Sequence, residues 1–319
     1  MTEKSPLLLS VEFNAAEKLG NIRDGLDGRP VIDWARGERP ATLDGVKYAL
    51  VWEFDHDLFD RMSNLEVIFS AGAGVDKILA NPALPDDVPI VRFVDHSLTT
   101  RMSEWICLQC LMHLRQQRQY DALQDERNWS ELVQPQASDV TIGIMGMGIL
   151  GQDAAAKLKT LGFNVIGWSR SKKQIDAVQC FDANETDAFL AQTHYLVGLL
   201  PLTNQTRGFF NQEIFAKLAK HPILQSPVLI NAGRGGSQIE KDIAISLENG
   251  TLGAVSLDVF ETEPLSATSP LWRFKNAILT PHVAANSDVA ALGRHVESQI
   301  TRHETGKDLQ FLVDRRAGY

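Results

Sequence analysis

Ser138-Asp139-Val140-Thr141-Ile142-Gly143-Ile144-Met145-Gly146-Met147-Gly148-Ile149-Leu150-Gly151 is the stretch that decides the fold. Its first half is apolar and β-branched, as a buried parallel strand is, and its second half spaces three glycines as GxGxxG. Gln152 to Leu161 follows with helical spacing, so strand, loop and helix come in the order a dinucleotide-binding unit requires. The glycines answer separate demands: a tight first turn at Gly146, bare backbone against a pyrophosphate at Gly148, and close packing of helix on strand at Gly151. Ile149 and Leu150 complete the loop, and the helix N-terminus turns free N–H groups toward the phosphates.

On either side of this segment, short β-branched runs alternate with longer stretches of helical spacing, the pattern of parallel sheets with crossover helices. Ahead of it the strand candidates are Leu7 to Phe13, Pro30 to Trp34, Tyr48 to Trp52, Val67 to Ser70 and Ile90 to Phe93, with a helical stretch at Ala15 to Leu26. From Val140 the alternation restarts, with strands near Val140 to Met145, Asn164 to Trp168, Tyr195 to Leu199, Val228 to Asn231, Gly253 to Leu257 and Ala277 to Leu279. Between the two sets, Leu98 to Gln124 reads as one long helix with apolar Met102, Ile106, Cys110 and Leu114, followed by a mostly polar stretch to Asp139. Ser287 to Thr305 reads as a last helix that returns to the first domain. The expectation is an α/β protein of two doubly wound parallel sheets. Residues 1–101 with 287–319 form a discontinuous domain, and residues 102–286 form the dinucleotide-binding domain inserted into it.

At 319 residues, 44% hydrophobic and 22% charged, the chain has the make-up of a soluble globular enzyme large enough for two domains. A formal charge of −9 argues against a nucleic-acid partner, which is gripped by neutralising many phosphates. No stretch approaches the roughly 18 uninterrupted apolar residues of a membrane span. The apolar run in MTEKSPLLLSVEF is too short, and too acidic at its flanks, for a signal peptide, so a cytoplasmic, unanchored protein is expected. Cys107, Cys110 and Cys180 make no disulfide framework. Cys107 and Cys110, in EWICLQCLMHL, lack a second ligand pair and read as apolar helix positions, so no metal site is expected.

The end of the second strand of the dinucleotide unit distinguishes two nicotinamide cofactors. An NAD site places a carboxylate there for the ribose 2′-hydroxyl, whereas NADP needs a cation for the 2′-phosphate. The sequence runs Gly167-Trp168-Ser169-Arg170-Ser171-Lys172-Lys173, with no carboxylate until Asp176. Arg170 suits the 2′-phosphate and the adenine face, with Ser169, Ser171 and Lys172 as further donors, although a solvated basic turn has the same composition. The reading is NADP(H), with NAD(H) as the weaker cofactor.

Three residues further along carry the chemistry of reducing a 2-keto acid. Arg234 in NAGRG offers a guanidinium for a carboxylate, His282 in TPHVAA an imidazole that gives a proton, and Glu263 in DVFETEP a carboxylate that keeps that imidazole charged. Taken singly, each has an ordinary reading as a loop arginine, a turn carboxylate beside Pro264, or a core histidine. Their order at the ends of predicted strands is what carries the assignment.

Together the stretches SAGAGVDKI (70–78), GIMGMGILG (143–151), LPLTNQTRG (200–208), NAGRGG (231–236), LDVFETEPL (257–265), SPLW (269–272) and TPHVAA (280–285) resemble the D-2-hydroxyacid dehydrogenase family, most closely its short bacterial glyoxylate/hydroxypyruvate reductases. The resemblance implies a Rossmann coenzyme domain inserted into a flavodoxin-like substrate domain, an active site in the cleft, a small 2-keto acid substrate and a homodimer paired through the coenzyme domains. It implies that Arg234 grips the substrate carboxylate and carbonyl oxygen, that His282 protonates that oxygen, and that Glu263 orients the imidazole. It also assigns the backbone N–H groups of Ala73 and Gly74 to the substrate carboxylate, Asp258 to the nicotinamide carboxamide, and Leu200, Pro201, Thr206 and Ala232 to the cofactor lining. Trp52 stands where short-type relatives place a tryptophan near the substrate, but Glu53 and Phe54 replace a histidine-proline stretch, and packing at a strand end explains it equally. The arginine motif carries Gly233 and Gly236 where many relatives have alanine and an apolar residue, which gives this loop more backbone freedom. A broader 2-keto acid reductase or a phosphoglycerate-type dehydrogenase remains as an alternative, the latter disfavoured because no regulatory domain follows Tyr319. A nucleotide-sensing corepressor of the same fold would be expected to carry disordered tails and an NAD-type carboxylate.

Overall fold

The computed structural model describes residues 4–11, 22–52, 54–286 and 288–319. Most of the expected helix at Ala15 to Leu26, the end of the first expected strand at Phe13, Glu53 and Ser287 lie outside the described residues. The chain divides into two compact units, Met1–Leu98 with Ser287–Tyr319, and Thr99–Asn286.

The first unit is built on strands β1 (Leu7–Ser10), β2 (Val31–Asp33), β3 (Tyr48–Val51), β4 (Val67–Ser70) and β5 (Ile90–Val91), all parallel in the order β2-β1-β3-β4-β5. Every residue of β1, β3 and β4 is buried, which is why LLLS, YALV and VIFS read as continuous apolar runs and not as alternating ones. The strand order reverses between β1 and β3, the flavodoxin-like arrangement. The last helix, Val289–Glu304, packs into this unit through backbone contact. A Cβ on Gly293 would stand 2.4 Å from the Ile22 carbonyl oxygen, and one on Gly25 would stand 2.6 Å from the Arg294 nitrogen. Beside this crossing the fully buried Arg29 guanidinium pairs with Glu297 at 2.6 Å and Glu304 at 3.2 Å. Further on, Leu312 bridges Val91 in antiparallel fashion and the Val313 N–H donates to the Ile90 carbonyl, covering the exposed edge of β5.

The second unit carries β6 (Thr141–Met145), β7 (Asn164–Trp168), β8 (Gln179–Phe181), β9 (Tyr195–Gly198), β10 (Val228–Asn231), β11 (Ala254–Leu257) and β12 (Ala277–Leu279). They pair in parallel in the order β12-β11-β10-β9-β6-β7-β8, a Rossmann arrangement with one added strand and a reversal between β6 and β9. The two doubly wound parallel sheets expected from the alternation are therefore present. The short edge strand β8 was not expected, because three residues leave no periodic signal.

The long helix expected over Leu98 to Gln124 is two helices, His96–Leu114 and Gln117–Asp125. Met102, Ile106, Cys110 and Leu114 lie one turn apart and pack with Ile142, Ile144, Val197 and Ile230 in one core. Beyond Leu114 no residue of the second helix is buried, so nothing extends the apolar stripe, and Gln116 breaks the helix with a left-handed φ of 53°. Burial pushes the Cys110 thiol well above its usual range, and Cys110 is a core residue of that stripe. Near the end of the first helix His113 is buried, its Nε2 2.8 Å from the Ser256 hydroxyl, which in turn donates to Gln109 Oε1 at 2.9 Å.

Burial pushes His113 down to about 4. The unfolded chain takes up this proton near pH 6.5 while the native state refuses it until about pH 4, so stability is lost as pH falls through that window. Native protein should lose about 2 kcal/mol between pH 7 and pH 5 through this group. Chemical denaturation of the native chain and a His113→Leu variant at both pH values checks this, and equal pH slopes in the two would refute it.

Candidate active site

Parallel strands deliver their following loops to one edge of a sheet, and the segments of the second unit leave the C-terminal ends of β6, β7, β9, β10, β11 and β12. After β6, the glycine loop has the three geometries that GxGxxG requires. Gly146 has φ +111°, and a Cβ there would stand 2.5 Å from the Leu199 carbonyl oxygen; one on Gly151 would stand 2.2 Å from the Gly146 oxygen. A Cβ on exposed Gly148 would meet nothing within 4 Å, so bare backbone faces open space at the start of helix Ile149–Thr160, where Ile149 and Leu150 open the first turn. This cradle fits a pyrophosphate. Met147 anchors the loop: its side chain is buried against Gly167, and its carbonyl accepts from Lys173 Nζ at 2.7 Å and Gln152 Nε2 at 3.1 Å.

At the end of β7 the Ser169 hydroxyl donates to the Ser171 carbonyl at 2.8 Å, and Arg170 and Ser171 are exposed. Lys172 Nζ lies 2.8 and 2.9 Å from the two carboxylate oxygens of Glu185. After β9, Leu200 is buried, and the Thr206 hydroxyl closes the 201–206 turn by donating to the Pro201 carbonyl at 2.6 Å and accepting from the Thr203 N–H at 2.8 Å. Ala232, after β10, is buried with its N–H on the Gly198 carbonyl at 3.2 Å.

The arginine loop is held from beneath by two buried amides. Asn231 accepts the Gly233 N–H at 3.1 Å and donates to Gln238 Oε1 at 2.8 Å, and Gln238 donates to the Val259 carbonyl at 2.9 Å. Gly235 lies so close to Phe260 that a Cβ would fall 1.9 Å from that residue's carbonyl carbon and oxygen. The backbone freedom expected of Gly233 and Gly236 is taken up by packing. Gly233 presses on the Leu200 backbone with a Cβ position 2.9 Å from its oxygen, and Gly236 on the Leu202 side chain at 2.9 Å. Arg234 stands half-buried on this support, its Nη1 donating to the Gly233 carbonyl at 2.8 Å.

His282 Nδ1 lies 2.8 Å from Glu263 Oε2, and the other oxygen of Glu263 accepts the Phe260 N–H at 3.0 Å. Burial works to raise the Glu263 carboxyl, but the hydrogen bonds from His282 and Phe260 and the charges of His282 and Arg234 outweigh it and hold Glu263 below the usual range. Arg234, Glu263 and His282 thus form one electrostatic cluster. His282 has a left-handed φ of 53°, and its N–H donates to the Asp258 carbonyl at 2.8 Å. The buried Asp258 carboxylate closes the same loop, accepting from the Thr280 hydroxyl at 2.6 Å and from the N–H groups of Val283 and Ala284, each at 2.9 Å. Asp258 therefore brackets His282. A carboxylate between the apolar residues of LDVF was a signal available in the motif; Gln238 carried none.

In the first unit, Trp52 follows β3 and lies over the loop after β4, its ring 2.5 Å from where a Gly72 Cβ would stand. Only a glycine fits beneath that ring. The Ser70 hydroxyl holds the Gly74 carbonyl at 2.9 Å, and among the described residues nothing accepts the N–H of Ala73 or Gly74. Two adjacent unspent donors of this kind suit an anion.

The profile described as "D-isomer specific 2-hydroxyacid dehydrogenase, NAD binding domain" matches residues 107–284. A glyoxylate/hydroxypyruvate reductase A of Serratia proteamaculans is 40% identical over 314 residues, 96% of this chain and 97% of that protein. Two solved structures superpose over 99% of this chain and 100% of theirs, each at 55% identity. One is an NADPH-dependent glyoxylate/hydroxypyruvate reductase from Sinorhizobium meliloti in complex with NADP and sulfate, with a TM-score of 0.96. The other is a probable 2-hydroxyacid dehydrogenase from Rhizobium etli in complex with NADP, HEPES and L(+)-tartaric acid, with a TM-score of 0.94. With this coverage, and with a hydrogen-bonded histidine–glutamate pair beside an arginine and a glycine loop, the chain belongs to the D-isomer specific 2-hydroxyacid dehydrogenase family.

Proposed function

We propose that this protein reduces glyoxylate and hydroxypyruvate, small 2-keto acids, to the 2-hydroxy acids with NADPH. The observation that carries the chemistry is the 2.8 Å contact between His282 and Glu263 within the field of Arg234. Glu263 hydrogen-bonds Nδ1 of His282 and fixes the rotation of the imidazole, which leaves Nε2 to deliver a proton to the substrate carbonyl oxygen. Arg234 holds the substrate carboxylate and carbonyl and opposes the negative charge that develops on that oxygen. The N–H groups of Ala73 and Gly74 take the substrate carboxylate, and Trp52 limits the size of what enters there. The bound nicotinamide supplies the hydride.

Gly146, Gly148, Ile149, Leu150 and Gly151 hold the pyrophosphate, while Leu200, Pro201, Thr206 and Ala232 line the cofactor. Arg170, with Ser169, Ser171 and Lys172, takes the 2′-phosphate, which makes NADP(H) the preferred cofactor over NAD(H). The relatives named as NADPH-dependent or solved with NADP support that preference. Asp258 stands near the nicotinamide carboxamide and also braces the His282 loop. A homodimer is proposed, supported by Trp129, which is fully exposed, and by Val133, exposed to 71%. Such apolar area on one segment suits burial against a second copy. Among the described residues no helix is long and apolar enough to cross a membrane, and the cytoplasm is the proposed location.

Replacing His282 with Ala should lower kcat for glyoxylate by about 10²- to 10⁴-fold while NADPH still binds; turnover unchanged in that variant ends the mechanism. Arg170→Ala should weaken NADPH binding by roughly 1.5 to 3 kcal/mol and leave NADH nearly untouched. Titration of both cofactors decides this, since equal losses would remove Arg170 from the 2′-phosphate site. Asp258→Asn leaves one buried N–H of the His282 loop without an acceptor. Melting and steady-state assays on that variant should show about 1 to 3 kcal/mol less stability and a kcat reduced on the order of 10²-fold; native kcat would mean that the bracket does not position His282.

A further inference from the structure

The two lysines that follow Arg170 are committed to different partners. Lys173 turns to the glycine loop, where its ammonium bonds the Met147 carbonyl at 2.7 Å, a contact that serves any dinucleotide bound there. Lys172 turns to Glu185 and meets both of its carboxylate oxygens, at 2.8 and 2.9 Å. Glu185 is itself fixed. It is the last residue of a short 3-10 turn, Ala183–Glu185, and its Oε2 accepts the Asp182 N–H at 3.1 Å in a capping box. The ion pair holds Lys172 above and Glu185 below their usual ranges, each in its charged form. Both side chains stay solvated, 56% and 37% exposed, and line an open depression of about 560 Å³ that leaves room for a phosphate.

A 2′-phosphate arriving at this turn meets a lysine already neutralised and a carboxylate of its own sign. We infer that Glu185 sets the cofactor discrimination of this enzyme by competing with the 2′-phosphate of NADPH for Lys172. Because the pair is solvated, the exchange costs little, and a phosphate carrying more charge than a carboxylate wins it at reduced affinity. NADH, which has no 2′-phosphate, leaves the pair intact. Glu185 therefore lowers NADPH affinity selectively and keeps it short of what Arg170 and Lys172 together would allow.

The inference rests on the reading of Ser169 to Lys172 as the 2′-phosphate site, and calorimetry on the full chain with 2′,5′-ADP, 5′-AMP, NADPH and NADH tests both. Glu185→Gln preserves the capping acceptor and removes the charge. It should bind 2′,5′-ADP and NADPH about two- to fivefold more tightly, the range an exposed ion pair is worth. NADH and 5′-AMP should bind as before, with the melting temperature lowered by no more than the small worth of one exposed ion pair. In a Lys172→Met background most of that gain should vanish. Weaker 2′,5′-ADP binding in Glu185→Gln would overturn the inference by making Glu185 a prop that presents Lys172. Unchanged binding, or equal tightening of NADPH and NADH, would overturn it as well. If the native chain bound 2′,5′-ADP no better than 5′-AMP, and Lys172→Met changed neither, the reading of the turn itself would fall and the inference with it.

Discussion

Parallel pairing is the constraint from which this site follows. Every strand of the seven-stranded sheet runs the same way, so the loops after β6, β7, β9, β10, β11 and β12 leave by one edge. The glycine loop, the basic turn, the arginine loop and the histidine loop are collected there although they are spread from residue 146 to residue 284. The order of strands reverses between β6 and β9, which opens a crevice at the one point where a dinucleotide can reach both halves.

Collection at an edge is coarse, and buried contacts refine it. Asp258 accepts three hydrogen bonds from the histidine loop, and the Asn231–Gln238 pair fastens the arginine loop to the segment that follows β11. Gly235 brings the arginine loop against the Phe260 backbone, and Phe260 donates to Glu263. Arg234, Glu263 and His282 therefore share one scaffold, in which these three side chains are half-exposed and the residues holding them are buried. That division keeps the geometry of the three side chains constant while leaving them open to a ligand.

The strand pattern was legible because parallel strands buried on both faces are apolar with no alternation, and VIFS and VLIN both show that composition. The glycine loop was legible for a related reason, since close backbone approach excludes every side chain and leaves glycine as its only trace. Where a feature depends on what lies opposite, the trace is lost. The break at Gln116 arises because no core partner waits beyond Leu114, and β8 forms because its neighbour β7 offers an edge. Gly233 and Gly236 suggested freedom by their type, yet each meets a packed neighbour.

By itself the sequence determined the two sheets, the nucleotide loop and the kinds of groups available for chemistry, because burial, close approach and charge each restrict residue type locally. The tertiary structure alone decided how those groups are held. It gave Asp258 to the histidine loop, Lys173 to the glycine loop and Lys172 to Glu185, since a charged side chain chooses its partner by distance, and distance between residues far apart in the chain is a property of the fold.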